Sequence, residues 1–170
     1  PARAITAPCN KAPNSGFAQY LGSTPTAWSL GVFSGSATST IALTEYHTAP
    51  PSVRVSVSTP GDINLRTAEW PGGLPVGPTS AYRLTAWLKA QVNSRAALRV
   101  IEWNGSSVLA DRFLTSSLGT GNWEKLEATF TTGSQTTALS VRLVHHISPG
   151  VFYWDDITLV PVSCDLATLC

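Results

Sequence analysis

The amino-acid sequence predicts an all-β fold, an antiparallel β-sandwich of two broad sheets. Short runs in which apolar and polar residues alternate recur along the 170-residue chain, separated by turns rich in Gly, Pro, Ser or Asn. Alternation with a period of two is typical of strands that bury one face, and helical periodicity is almost absent. Eight or more such runs, each about eight to ten residues long, indicate two sheets arranged as in a jelly roll.

The clearest run is PSVRVSVS at 51–58, where three valines alternate with polar residues. The other runs are STIALTEY (39–46), DINLRTAEW (62–70), AYRLTAWLKAQ (81–91), RAALRVIEW (95–103), NWEKLEATF (122–130), TALSVRLVHHI (137–147) and VFYWDDITLV (151–160). A long Pro- and Gly-rich loop at 70–80 separates the runs 62–70 and 81–91, and no internal repeat is visible. The sequence therefore predicts one domain over 1–170, with its core at roughly 14–160 and a Cys-containing tail at 161–170.

Composition narrows the functional classes. Charged residues make up only 12% of the chain and the formal net charge is +1, so there is no electrostatic reason to expect a nucleic-acid or anionic-membrane partner. No apolar run approaches the ~18 residues of a membrane span. The sequence lacks methionine and a signal peptide, so we expect a mature secreted product or a module cut from a longer chain.

Cysteines lie only near the two ends of the chain, at Cys9, Cys164 and Cys170. Their spacing matches no zinc motif, and none has the surroundings of a catalytic thiol. We therefore expect a disulfide formed in an oxidising compartment. Either Cys164 and Cys170 close a short loop, or Cys9 ties the N-terminal segment to the last strand, and the third cysteine is unassigned.

The alternation also divides each strand into a core-facing and an outward-facing set. Tryptophans and arginines accumulate in the outward set, which comprises Trp70, Trp87, Trp103, Arg66, Arg99, Arg142 and His146. Indole rings among guanidinium groups can stack on sugar rings and hydrogen-bond sugar hydroxyls, so the set predicts a carbohydrate-binding surface. The alternative is that loops or chain termini cover these tryptophans as a second small core.

Several blocks occur in a recognisable order: NSGF (14–17), TAWSL (26–30), YHTAPPSVRVS (46–56), SAYRLTAWLKA (80–90), GTGNWEKLEATFTT (119–132) and VFYWDDITL (151–159). Over roughly residues 14–160 the chain resembles the jelly-roll carbohydrate-binding modules of families 4, 9 and 22, which accompany secreted glycanases. The resemblance implies a galactose-binding-domain-like sandwich that binds polysaccharide without catalysis and is attached to a catalytic domain.

The resemblance also implies a structural calcium ion near the start of the last strand. Its expected ligands are Asp155, backbone carbonyls near Gly16 and in the 46–52 loop, which includes His47, and Glu45 as a second carboxylate. One position departs from the family pattern, because Ala18 stands where an acidic residue usually follows Gly-Phe.

Side chains two residues apart in a strand point to the same face. Asp155 therefore shares the face of Ile157 and Leu159, and we predict that it points inward. A buried carboxylate must be paired or bound to a metal ion. The alternative to calcium is that backbone N–H groups or an arginine satisfy Asp155. Asp156 has the opposite parity and is expected to be exposed or hydrogen-bonded.

The family resemblance indicates which aromatic residues are expected to contact sugar and which are expected to be structural. It adds weight to Trp70, Trp103, Arg142 and His146 as sugar-contacting residues, because similar modules use the corresponding strands. Trp28 and Trp123 correspond to positions that are usually structural, so we expect both in the core. Trp87 is assigned to the binding surface by parity, although the family often has an aromatic residue there for packing. Tyr46 and Trp154 are weaker candidates.

Two other functions remain open. A jelly-roll polysaccharide lyase or glycoside hydrolase would need paired carboxylates or a histidine base, and His145-His146 near Arg142 fits a lyase. However, Glu69, Glu102 and Glu124 have core-facing parity, so no convergent carboxylate pair is predicted. A protein-binding adhesion sandwich would use the same exposed aromatic residues. The sequence does not distinguish neutral β-glucan, xylan or mannan from a uronate polymer.

Overall fold

The computed structural model describes residues 9–69, 71–145 and 148–164. In these ranges the chain forms strands and no helix, so no helix there is long and apolar enough to cross a membrane. The strands are β1 (Tyr20–Leu21), β2 (Thr24–Pro25), β3 (Trp28–Val32), β4 (Ser36–Ala42), β5 (Ser52–Thr59), β6 (Ile63–Thr67), β7 (Leu74–Pro75), β8 (Ala81–Ala90), β9 (Arg95–Asn104), β10 (Ser107–Leu118), β11 (Trp123–Thr131), β12 (Ala138–Val144) and β13 (Gly150–Pro161).

Two antiparallel sheets form the body of the molecule. The first sheet has the order β10-β9-β12-β6-β3, with β7 paired to β12, and the second has the order β11-β8-β13-β5-β4. Strands β1 and β2 form a separate hairpin. From β3 onward the chain passes to the other sheet at every connection except β4–β5, β6–β7 and β9–β10, which stay within one sheet. The predicted antiparallel sandwich of two sheets is therefore confirmed.

The core lies between the sheets and contains the side chains that alternation assigned to it. The buried set includes Val53, Val55, Val57, Ile63, Leu65, Tyr82, Leu84, Ala86, Leu88, Leu98, Val100, Leu139, Val141 and Leu143. Trp28 is also buried, as predicted. Each fully buried Leu or Ile contributes about 1.5–3 kcal/mol relative to exposure, so this layer supplies the main driving force for folding.

Two strands of the first sheet, β3 and β10, were not predicted. Both are edge strands, and most of their residues are exposed or only partly buried. No residue of β10 is buried, and β3 is only five residues long, so neither strand carries a strong period-two signal. The N-terminal part of β10, Val108 and Leu109, even exposes apolar side chains.

A β-bulge in β13 overturns the predicted orientation of Asp155. The register of β13 with β8 shifts between Asp155 and Thr158, and Asp156 adopts a positive φ of 49°. Trp154 and Ile157 are both buried in the core, so the extra residue resets the alternation between them. Asp155 pairs directly with Trp87 and therefore belongs to the outer face of the second sheet, not to the core face.

The N-terminal segment packs along the same part of β13. Asn10 Oδ1 accepts a hydrogen bond from Leu159 N at 2.8 Å, and Asn10 Nδ2 donates to Ile157 O at 3.3 Å. A disulfide joins Cys9 to Cys164, with Cα atoms 6.3 Å apart. Of the two predicted pairings, the structure therefore contains the one between the chain ends, whereas Cys170 lies outside the described residues.

Candidate functional site

Three arginines form a continuous row across the outer face of the first sheet. Arg142 on β12 lies directly opposite Arg99 on β9, and on its other side directly opposite Arg66 on β6. Neighbouring strands are about 4.8 Å apart, so the three Cα atoms span roughly 10 Å. We call Arg99, Arg142 and Arg66 the arginine row.

Carboxylates neutralise the arginine row. Glu69 accepts hydrogen bonds from Arg66, at 3.3 Å, and from Arg142. Asp111 on β10 accepts two from Arg99, through Nε at 2.5 Å and through Nη2. The hydrogen bond to Asp111 raises the pKa of Arg99, and the nearby charges of Asp62 and Glu69 act in the same direction. The guanidinium groups are therefore fixed in position before any ligand arrives.

A phenyl ring stands at each end of the arginine row. Phe113 pairs with Arg99 across β10 and β9, and its ring centroid lies 4.9 Å from the Arg99 guanidinium carbon. Phe33, which follows β3, lies over Arg66 at 4.8 Å. The two residues remain 55% and 57% exposed, respectively. Large apolar side chains this exposed are candidates for ligand contact.

Phe113 lines two open cavities. A cavity of ≈ 380 Å³ is lined by residues that include Ala97 and Val144, which are paired on the outer face. A second cavity of ≈ 300 Å³ lies between Phe113, Arg99 and Asp62. Small side chains beside the bulky arginine row therefore leave a depression of the size that ligand pockets have.

Trp103 and Trp87 do not share a surface, contrary to the prediction. Trp103 lies on the outer face of the first sheet, where its Nε1 donates to Ser140 Oγ at 3.0 Å. Trp87 lies on the outer face of the second sheet and stacks on His47, with centroids 3.6 Å apart. The strands carrying the two tryptophans belong to different sheets, so alternation within a strand could not reveal the separation.

The structure places the remaining predicted side chains as follows. Trp70 and His146 lie outside the described residues. His145 and Trp154 are buried in the core, where Trp154 Nε1 donates to His145 Nε2 at 2.7 Å, so His145 is not accessible as a catalytic base. Trp123 was predicted in the core but is only partly buried, and it contacts the ring of His47 from the side.

The two consecutive aspartates form a cluster with the 47–48 segment. Asp155 is fully buried, and its carboxylate accepts hydrogen bonds from His47 N at 2.9 Å and from Asp156 N at 2.8 Å. Asp156 Oδ2 accepts from Thr48 Oγ1 at 2.5 Å and lies 2.8 Å from His47 Nδ1. We call Asp155, Asp156, His47 and Thr48 the aspartate cluster.

Burial raises the pKa of Asp155 to about 6, although the hydrogen bond from His47 N opposes the shift. The Oδ1 atoms of Asp155 and Asp156 both lie 3.9 Å from the point where a Cβ on Gly16 would stand, so the two carboxylates converge there. Glu45 is directed elsewhere, because Lys89 Nζ donates to its Oε1 at 2.9 Å. Within 9–69, 71–145 and 148–164, no group of three His, Cys, Asp or Glu side chains could hold a metal ion.

Sequence reasoning missed four residues at the arginine row: Phe33, Phe113, Glu69 and Asp111. Phe113 and Asp111 lie on the unpredicted strand β10, and Phe33 follows the unpredicted strand β3. Glu69 was assigned to the core by extending alternation to residue 70, but β6 ends at Thr67 and the chain turns. A weak alternation in 107–118 was the available signal for the edge strand β10.

The sequence matches no protein-family model and no curated protein. Among solved structures, the CBM22-1 xylan-binding domain from Paenibacillus barcinonensis Xyn10C has a TM-score of 0.67 at 12% identity, over 87% of this chain and 92% of that one. A CBM4 structure has a TM-score of 0.64 at 14% identity, with coverages of 87% and 97%.

A third solved structure, a cyclase from Fischerella sp. TAU, has a TM-score of 0.62 at 15% identity, over 90% of this chain and 96% of that one. At identities this low, the three structures show a common fold. The chain therefore has the jelly-roll fold found in the carbohydrate-binding modules of families 22 and 4, as its sequence predicted.

Proposed function

We propose that this chain is a non-catalytic carbohydrate-binding module that binds a polysaccharide across the outer face of the first sheet. The observation that supports the proposal is the arginine row. Carboxylates neutralise it, and the exposed rings of Phe33 and Phe113 lie at its two ends. Sugar rings present apolar C–H faces and a rim of hydroxyls. The phenyl rings offer stacking surfaces, and the ion pairs offer fixed hydrogen-bond donors and acceptors.

The charge balance favours a neutral polysaccharide. Three guanidinium groups face the three carboxylates of Glu69, Asp111 and Asp62, so the formal charge of the surface is close to zero. An added sugar carboxylate would have to compete with these internal partners. Because one structure with the same fold is a xylan-binding domain, xylan is the first neutral ligand to test.

Trp103 extends the proposed surface along β9. Four residues separate it from Arg99, which corresponds to about 13 Å along the strand. Its indole N–H is already bonded to Ser140, so the ring is held in place and would contribute by stacking alone. In this proposal Arg66, Arg99 and Arg142 supply hydrogen bonds, as the sequence predicted, while phenylalanine rings supply much of the stacking that was assigned to tryptophan.

Affinity electrophoresis through gels containing xylan, β-glucan or mannan tests the proposal. We expect one glycan to retard the wild type, and Phe113→Ala to weaken binding about fivefold, since a stack contributes about 1 kcal/mol. Tyr20→Ala is the matched control, because Tyr20 is an exposed aromatic residue on the separate β1–β2 hairpin.

Other outcomes of the same assay would overturn the proposal. Release of reducing ends or unsaturated products from a glycan would establish catalysis instead. Absence of both retardation and product release would favour a protein partner. Equal weakening by Phe113→Ala and Tyr20→Ala, with both variants folded by circular dichroism, would remove the first sheet as the binding face.

We also propose that the aspartate cluster binds a structural calcium ion opposite Gly16. Two carboxylates converge there, and the burial that raises the pKa of Asp155 would be offset by a cation. We expect Ca²⁺ added to chelator-treated protein to raise its melting temperature, and Asp155→Asn to abolish the shift. Glu127→Gln, an exposed carboxylate on β11, is the control. An unchanged wild-type melting temperature would mean that N–H donors alone satisfy Asp155.

Secretion and attachment to a catalytic domain complete the proposal. The Cys9–Cys164 disulfide supports an oxidising, extracellular compartment. Attachment to a glycan-degrading enzyme is inferred from the family resemblance. Weak binding at one site would then suffice, because tethering raises the effective concentration of enzyme at its substrate.

A further inference from the structure

A second row of paired side chains crosses the outer face of the opposite sheet. Tyr153 on β13 lies directly opposite Arg54 on β5, and on its other side directly opposite Lys89 on β8. Lys89 in turn pairs with Trp123 on β11. Cations and aromatic rings therefore alternate in the order Arg54, Tyr153, Lys89, Trp123, over about 14 Å. We call these four residues the second row.

The second row differs from the arginine row in its charge balance. Lys89 is paired with Glu45, and both side chains are about one-third exposed. Arg54 makes no ion pair or side-chain hydrogen bond within 9–69, 71–145 and 148–164. A partly buried guanidinium without a carboxylate retains both its charge and its fork of N–H donors. The second row thus carries an excess positive charge that the arginine row lacks.

A cleft opens beside this unpaired charge. Its volume is ≈ 250 Å³, and its lining includes Arg54, Tyr153, Lys89, Gln91 and Gly121. Tyr153 presents a partly exposed phenol ring between the two cations. Gln91, directly after β8, adds an exposed amide that can donate and accept. The cleft therefore combines a stacking ring, an amide and a free guanidinium.

We propose that this cleft is a second glycan-binding site and that it takes an acidic sugar residue. The carboxylate of a uronate would accept two parallel hydrogen bonds from Arg54, while its ring stacks on Tyr153. Planar bidentate pairing with a carboxylate is a property of arginine that lysine does not share. The site lies on the opposite sheet from the arginine row, so the inference goes beyond the proposed function and does not depend on it.

The probes are an α-linked galacturonate tetramer and a β-linked mannuronate tetramer, titrated into ¹⁵N-labelled protein at low salt. We expect at least one of them to shift the backbone amide signals of β5, β8 and β13. Arg54→Gln should weaken that binding about tenfold to a hundredfold, and Arg54→Lys should restore only part of it. Raising the salt concentration should weaken binding by the wild type.

Arg83→Gln is the matched control, because Arg83 is exposed on the same face of β8, six residues and about 20 Å from Lys89. Phe113→Ala should leave uronate binding intact while weakening the binding of neutral glycan. The experiment therefore tests the proposed site at the arginine row and the proposed site beside Arg54 independently. Binding of neither tetramer would overturn the inference. Equal losses in Arg54→Gln and Arg83→Gln would also overturn it, because they would indicate diffuse charge attraction.

Discussion

The carboxylate of Glu69 accepts a hydrogen bond from the guanidinium of Arg142, whose side chain is only 12% exposed. The same carboxylate bonds Arg66, which lies directly opposite Arg142 on the neighbouring strand. Glu69 therefore holds two cations together that would otherwise repel each other across adjacent strands. The arrangement of the arginine row depends on this residue.

We expect Glu69→Gln to reduce the free energy of unfolding by about 1–3 kcal/mol, since it leaves two facing guanidinium groups without their shared anion. Urea denaturation measures the effect, and added salt should recover part of the loss. Glu127→Gln removes an exposed carboxylate paired with Lys125 and should cost less than about 0.5 kcal/mol. Equal effects of the two substitutions would contradict a special role for Glu69.

Gly31 sets the position of Arg66 from the adjacent strand. A Cβ at residue 31 would lie 3.2 Å from Arg66 Cζ and 3.3 Å from Asn64 Oδ1, so Gly31→Ala must displace the guanidinium by a few tenths of an ångström. We expect neutral-glycan affinity to fall a few-fold, because hydrogen bonds weaken as their geometry departs from the optimum. Calorimetric titration measures the affinity.

The control for that experiment is Gly105→Ala, in the turn between β9 and β10. Nothing lies within 4 Å of a Cβ there, although its φ of +52° is unfavourable for alanine. The substitution should therefore lower stability and leave affinity unchanged. A Gly31→Ala protein that binds as tightly as wild type would show that the guanidinium of Arg66 does not contact the ligand.

The disulfide between Cys9 and Cys164 encloses most of the chain, with a sequence separation of 155. Replacing both residues by serine should lower the free energy of unfolding by about 2–5 kcal/mol, because the unfolded chain regains the entropy of a long open loop. Thermal melting of the double variant measures the loss. Cys170→Ser alone is the control and should melt like wild type, whereas a comparable loss in that variant would contradict the pairing.

Asp155 makes the stability of the calcium-free protein depend on pH. Burial raises its pKa in the folded state to about 6, from an ordinary value of 3.8, so the folded state binds the proton more tightly than the unfolded state. The resulting stabilisation is fully present below about pH 4 and is lost as pH rises to about 6. A difference of about two units corresponds to roughly 3 kcal/mol.

Urea unfolding in the presence of EDTA, between pH 4 and pH 7, measures this dependence. The difference in unfolding free energy between wild type and Asp155→Asn isolates the contribution of this carboxyl, because all other groups titrate in both proteins. We expect saturating Ca²⁺ to reverse this pH dependence, so that stability increases with pH, because the cation binds the ionised carboxylate. A pH-independent difference would show that the carboxylate is already satisfied by its N–H donors.

The central strands could be predicted because burial forces their sequences to alternate. Strands β5, β8, β9 and β12 have partners on both sides, and one of their faces is closed by the opposite sheet. The alternation also assigned Arg66, Arg99 and Arg142 to outer faces, where the structure has them. Their role in binding sugar stays a prediction.

The remaining parts of the site could not be predicted, for two physical reasons. None of the residues of β10 is buried, so Phe113 and Asp111 stand in a segment with little periodic signal. A bulge interrupts the alternation between the residues on its two sides. Alternation counted back from Ile157 and Leu159 across the bulge at Asp156 therefore placed Asp155 on the core face, whereas it lies on the outer face of the second sheet.

By itself, the sequence determined the all-β class, the core faces of the central strands and the resemblance to jelly-roll binding modules. These properties depend on local alternation and on the order of short motifs, which a linear sequence records directly. Only the tertiary structure decided which outward-facing side chains lie next to each other on the same sheet. Trp87 and Trp103 lie on different sheets, whereas Glu69 reaches Arg142 across 73 residues of sequence. Strand order fixes such neighbours, and the free energy that selects it comes from long-range packing that no single strand encodes.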